Sequence, residues 1–240
     1  MTSTPKPRPV FIAALRREVA AVVKGAGWYA DPTHHARHIH VYLHPDAIVA
    51  CAGMGAARAS LAIEAALASG PASKLISVGF AGACDPRFHI GDVIHPSILV
   101  DVRTGERFFL ADPCAVEDAE TVVTVATPAG ALAKRRLGAS YSASAVDMEA
   151  AAVARIAQAH DLPCSAIKAI SDEADFELPD MQQFSTEDGQ FQESEFGLYV
   201  AFRPWMWKSV LTMAKGSKLA AQRLRAEIEA HIQKHRDQRS

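Results

Sequence analysis

Nowhere in this chain do about 18 consecutive apolar residues occur, so no segment is long enough to span a bilayer as a helix. The N-terminal stretch MTSTPKPRPV lacks an apolar centre. The first apolar run, VFIAAL, is short and reads as a strand, so no secretory leader is expected. Charge of one sign is missing too. A formal net charge of −2 is too balanced for the basic face that a nucleic-acid binder concentrates, and no nucleic-acid partner is expected. Cysteine is scarce: Cys51, Cys84, Cys114 and Cys164 are far apart and form no C-x-x-C pair. That removes the common zinc and redox motifs and fits reduced, buried thiols in a cytoplasmic protein. What the chain has is apolar residues, 49% of 240, enough for one substantial core and a single domain over 1–240.

Those residues fall in short runs that alternate with helical segments. PVFIAAL (9–15) reads as a strand and leads into a helix through Glu18, Val19, Val22 and Val23. HIHVYL (38–43) and AIVACAG (47–53) pair around the turn His44-Pro45-Asp46, and 56–69 is an alanine-rich helix. KLISVGFAGA (74–83) is apolar throughout, as a strand covered on both faces would be. GDVIHPSILVDV (91–102) supplies one or two strands. Thr127 and Pro128 look like an N-cap and first helical residue, with Gly138 closing that helix. A helix from 148 precedes the strand PCSAIKAIS (163–171). Residues 173–197 are acidic and aperiodic and read as a long loop, followed by two helices across 204–235 that begin near 204 and near 217. The β-α-β alternation predicts an α/β fold, a three-layer α/β/α sandwich on a central mixed sheet.

Several places carry chemistry. Gly53 and Gly55 lie between a strand and a helix, where backbone N–H groups and Arg58 would seat an anion. The dinucleotide fingerprint is absent, because no acid closes the next strand. HHARHIHVYLH (34–44) holds five of the ten histidines. His38 and His40 would share a strand face, but only Asp46 offers complementary spacing nearby, so a surface or subunit-contact strand is expected over a metal site. Acids follow apolar strands abruptly at Glu18, at Asp147 and Glu149, and at Asp172. Open α/β sheets bind ligands at such strand ends. Asp147 is expected to cap the following helix, a role worth about 1 kcal/mol or less.

The segments IAALRREV (12–19), GFAGACDPRFHIGDVI (79–94) and VDMEAAAVARIAQAHDLPCSAIKAISDEAD (146–175) resemble the purine nucleoside phosphorylase and methylthioadenosine/S-adenosylhomocysteine nucleosidase superfamily. ATPAGALAKRRLGASYSASAVDMEA and the tail RPWMWKSVLTMAKGSKLAAQRL look most like its hopanoid-associated phosphorylase branch, whose members cleave an adenosyl-lipid. The resemblance implies catalytic roles for Glu18, which would activate water, and for Asp172, which would hydrogen-bond or protonate purine N7. It implies that Glu149 binds the ribose 2′-hydroxyl and Met148 packs on the sugar. Phe80, Ala81, Gly82 and Ser171 would border the substrate. Three departures stand out. Phe80 replaces a small polar residue, the purine-stacking aromatic has no counterpart, and Arg16 and Arg17 replace acids beside Glu18.

The resemblance therefore implies cleavage of a purine nucleoside at its N-ribosidic bond, through an oxocarbenium-like sugar. An acid at N7 must have its pKa raised, by burial or by a neighbour such as Glu173. Hydrolysis is expected, with phosphorolysis and a non-catalytic nucleoside-binding protein as alternatives. No cofactor or metal is expected, and phosphate is the co-substrate of the second reading. The expected partners are a small-molecule nucleoside and further copies of the chain. The tail, with Tyr199, Phe202, Trp205 and Trp207 beside Lys208, Lys215 and Lys218, would pack on the sheet or another subunit, or rest on a membrane surface.

Overall fold

The computed structural model describes residues 6–110, 119–177 and 204–237, with backbone alone at Ala36 and 204–209. Alternation along the first strand, β1 (Arg8–Ala13), sets up the layers. Val10 and Ile12 face one side of the sheet, and Phe11 and Ala13 face the other. β1 pairs in parallel with β4 (Ala47–Cys51) on one side and with β5 (Ala72–Ala83) on the other. β2 (Tyr29–Asp31) and β3 (His40–His44) extend the β4 edge in antiparallel fashion. Beyond β5 the sheet continues through β10 (Ala145–Asp147), β9 (Thr121–Thr124), β7 (Ile98–Asp101) and β8 (Arg107–Phe109). β11 (Cys164–Asp172) runs parallel to β5, and the two-residue β6 (Val93–Ile94) pairs with it. The sheet is mixed, as expected.

Helices close both faces. Alanine lets α2 (Ala56–Ala68) and α4 (Ala150–Ala159) come close, and they bury Ala62, Ile63, Ala66, Val153 and Ala157 against Val10, Ile12 and Ile48. On the opposite face, α1 (Arg16–Val23) and the C-terminal α5 (Pro204–Asp237) bury Val19, Val22, Ala220, Leu224 and Ile228 against Phe11, Val49 and Ile167. α3 (Ala131–Tyr141) packs Leu137 and Tyr141 onto Val100, Val123 and Val146. Cys51 and Cys84 are buried free thiols and Cys164 is partly so; burial pushes each up to about 12.

Three expectations need correction. The tail forms one 34-residue helix, not two. Gly216 does not break it, because the residue belongs to a buried stripe with Ala220, Leu224 and Ile228 at four-residue spacing, where the helix presses on the Ser171 carbonyl. Any Cβ at 216 would run into that oxygen. α3 starts at Ala131 with Gly130 as its N-cap, so Thr127 and Pro128 lie in the loop before it. Gly138 is inside the helix, against the Cys84 carbonyl, and the left-handed Ser142 ends it. His38 sits in a left-handed turn before β3, so it shares no strand face with His40. Among the described residues no three His, Cys, Asp or Glu side chains are placed to hold a metal, and no helix is long and apolar enough to cross a membrane. Of the loop expected at 173–197, residues 178–197 lie outside the described residues. Of the tail residues, Tyr199 and Phe202 and the side chains of Trp205, Trp207 and Lys208 lie outside them too, while Lys215 and Lys218 are exposed.

Candidate active site

The parallel strands β1, β5 and β11 end on one edge of the sheet, and a pocket opens there. Glu18, Phe80, Ala81, Gly82, Met148, Glu149, Ser171 and Asp172 all line it. The residues expected to bind or transform substrate thus come together from four segments of the chain.

Glu18 occupies the third position of α1, and its side chain reaches back over the helix N-terminus. Its Oε2 accepts from the backbone N–H of Ala14 at 3.0 Å and of Leu15 at 2.8 Å, and its Oε1 accepts from Phe80 N–H at 3.1 Å. Burial raises its pKa above the ordinary 4.5, against the pull of the Leu15 and Phe80 amides and the Lys168 charge. The arrangement ties a carboxylate to the ends of β1 and β5 at once.

After β10 the two acids separate in role. Asp147 Oδ2 accepts from Ala150 N–H at 2.8 Å, and Oδ1 accepts from the Thr124 hydroxyl at 2.6 Å. That is the expected cap. It is also more than a cap, because Lys168 Nζ lies 2.7 Å from Oδ2 and donates to Ser77 Oγ at 2.9 Å. Burial pulls the Lys168 pKa down, but Asp147 and Glu149 outweigh it and leave it above the ordinary value. Glu149 makes no cap with its side chain. It turns into the pocket, where Oε1 accepts from Gly55 N–H at 2.6 Å. Burial, then the neighbouring Asp147 charge, push its pKa up to about 8, against Lys168 and the Gly55 amide.

Asp172 reaches the pocket through a bulge. Ile170 pairs with Ala81 and Asp172 with Gly82, so Ser171 is an extra residue on β11. Unbroken alternation would send Asp172 to the face where Ile170 packs against α4; the bulge re-aims it. Ser171 Oγ donates to Asp172 Oδ1 at 2.7 Å, and Lys134 Nζ contacts Oδ2. The expectation that Glu173 acts on Asp172 is corrected, since the Glu173 carboxylate turns outward to His89 Nδ1 at 3.2 Å. The group beside Asp172 is a cation.

The anion seat expected at Gly53, Gly55 and Arg58 does not form. Gly53 N–H donates to Ala14 O at 2.9 Å, and Gly55 N–H is taken by Glu149. Arg58 donates to the carbonyls of Ala52, Arg37 and His38, away from the pocket. Arg16 and Arg17 are both exposed, and Arg17 stands at the pocket mouth. Lys134, Lys168, Met54, Met213 and Ser217 were not anticipated. Lys168 had a signal, a lone lysine inside the apolar strand CSAIKAIS. Phe80 is the one aromatic on the pocket wall among the described residues.

A family model described as the phosphorylase superfamily matches residues 9–120 and 119–195. No curated protein sequence matches the chain. Among solved structures, the chain is similar to a 5′-methylthioadenosine/S-adenosylhomocysteine nucleosidase from Neisseria meningitidis in complex with methylthio-immucillin-A, at 17% identity and a TM-score of 0.64 over 92% of this chain and 96% of that one. It is similar to the Arabidopsis thaliana 5′-methylthioadenosine nucleosidase in apo form, at 19% identity and TM-score 0.62 over 83% and 97%. It also resembles futalosine hydrolase of Helicobacter pylori, at 20% identity and TM-score 0.59 over 90% and 97%. At such identities the structural likeness is one of fold. The matched segments run through residues 9–195 and carry every pocket residue named above except Met213 and Ser217, and the chain belongs to the phosphorylase superfamily.

Proposed function

We propose that the protein cleaves the N-ribosidic bond of a purine nucleoside, with water as the acceptor and free base as a product. The observation that carries this reading is the convergence of Glu18, Glu149 and Asp172 on one pocket from three separate segments. Each has a distinct task. Glu149 accepts the ribose 2′-hydroxyl, a hydrogen bond that strengthens as positive charge builds on the sugar. Met148 and Phe80 offer apolar wall to the sugar and the base. Asp172 faces N7 of the purine. Glu18 takes a proton from the attacking water, and its backbone donors hold it in place for that step.

Water suits this pocket because an anionic acceptor would approach the carboxyl groups of Glu18 and Glu149, and Arg17 is the one arginine lining it among the described residues. One observation favours phosphorolysis as a second reading, the guanidinium of Arg17 at the mouth. No cofactor is needed in either case. The structural neighbours act on 5′-methylthioadenosine, S-adenosylhomocysteine and futalosine by name, and these three with adenosine make a suitable panel. Purine release in phosphate-free buffer is the expected result. Strict phosphate dependence with a ribose-1-phosphate product would transfer Glu18 to holding the sugar or the phosphate. Binding without release would leave a nucleoside-binding protein.

A further inference from the structure

Lys134 is fully buried, although it lies between the exposed Ala133 and Arg135 on α3. Its ammonium contacts Asp172 Oδ2 and donates to the Glu173 carbonyl at 2.8 Å. Burying an ammonium costs several kcal/mol unless it is paired and hydrogen-bonded, and a methionine would fill the same space without that cost. The backbone makes room for the pair: a Cβ on Gly82 would lie 2.8 Å from Asp172 Oδ2 and 2.9 Å from Lys134 Cε. Both members of the pair line the pocket, and they form an ion pair distinct from the Lys168–Asp147 pair beside Glu149.

We propose that Lys134 is a positioning residue for departure of the base, holding the proton that Asp172 passes to purine N7. The inference rests on the nucleoside-cleavage reading. As the C1′–N9 bond breaks, its electron pair goes to the purine. N7 takes the proton from Asp172, and Asp172 takes one from Lys134 Nζ. The ammonium becomes an amine, the carboxylate is restored, and the purine leaves as a neutral base. The amine regains a proton from solvent after release. Direct transfer from Lys134 is disfavoured by geometry, because its ammonium already faces the Asp172 carboxylate and the Glu173 carbonyl.

A double-mutant cycle on the full chain tests this, with adenosine or whichever panel nucleoside the wild type cleaves. Lys134→Met and Asp172→Asn should each lower kcat on the order of 10²-fold with KM nearly unchanged. The double variant should be no slower than the slower single. Lys134→Arg keeps the cation but does not release its proton, so it should stay slow; recovery of the rate there overturns the relay and leaves residue 134 a charge that only orients Asp172. If Lys134→Met leaves Asp172 unpaired and fails to fold, the double variant, which removes both charges, is compared with Asp172→Asn alone. Equal rates there support the relay, and a further loss overturns it. Unchanged kcat in Lys134→Met, an effect on KM alone, or losses that multiply in the double variant also overturn it. A wild type that releases no purine would overturn the nucleoside-cleavage reading and this inference with it; release by wild type and Lys134→Met alike overturns this inference alone.

Discussion

Lys168 Nζ lies 2.7 Å from Asp147 Oδ2, and neither side chain reaches solvent. Removing either partner leaves the other charge buried. Asp147→Asn and Lys168→Met should each therefore cost about 3–5 kcal/mol of stability, well beyond the 1 kcal/mol or less expected of a helix cap alone. Chemical denaturation of the two variants checks this. A loss confined to cap size in Asp147→Asn would mean that Lys168 finds its compensation in Ser77 and Glu149.

Glu18 and Glu149 both have pKa values above the ordinary 4.5, Glu149 at about 8. Glu149 accepts the 2′-hydroxyl most strongly as a carboxylate and Glu18 acts as a base only after losing its proton, so kcat/KM should fall as pH drops below about 8, the Glu149 value, rather than near 4.5. In Glu149→Gln the residual rate should keep an acid limb above the ordinary carboxylate range, set by Glu18. Stability runs with the same protons. Between 4.5 and about 8 the native state holds a proton on Glu149 that the unfolded chain has released, so stability should fall as pH rises through that window. Melting temperatures from pH 4 to 9 for wild type and Glu149→Gln should diverge with that sign; identical profiles would remove the raised value.

The layers and the strand-end acids were legible because both follow from simple periodicities. Apolar runs of strand length ending in small or acidic residues place Glu18, Glu149 and Asp172 correctly at one sheet edge. Lys134 was not legible. In ALAKRRL nothing local distinguishes the inward lysine from the outward Arg135 and Arg136, because its partner is a carboxylate 38 residues away. The single tail helix was not legible for a related reason. Only the packed structure shows that Gly216, just before the expected second helix, accommodates a carbonyl from another strand inside one continuous helix. Gly55 misled as an anion seat because Glu149 fills it from 94 residues away.

Gly216→Ala gives a measure of that contact. Its Cβ would meet the Ser171 carbonyl, a backbone atom that cannot swing aside as the end of a side chain can. Overpacking of this kind costs about 1–3 kcal/mol. The shift should also carry to the adjacent Asp172, so kcat should fall together with stability. A variant with unchanged melting and unchanged kcat would show that α5 can slide along the sheet.

Glu18 receives three backbone N–H groups, those of Ala14, Leu15 and Phe80, and all three are donors. A carboxylate satisfies them on two oxygens. A glutamine has one oxygen and an NH2 group, so at least one backbone donor would face another donor. Glu18→Gln should thus cost about 1–3 kcal/mol in stability, the penalty of an unmet buried polar group, in addition to its effect on catalysis. The rate should fall by about 10²–10⁴-fold as the proton acceptor for water is lost. The two effects separate experimentally: at a temperature well below the melting point the variant is folded, so any remaining rate loss is chemical. Glu18→Gln that melts lower but cleaves at the wild-type rate when folded would make Glu18 a helix-terminus acid and nothing more. The attacking water would then need another base, and Glu149, which lines the same pocket and pairs with no lysine, is the candidate.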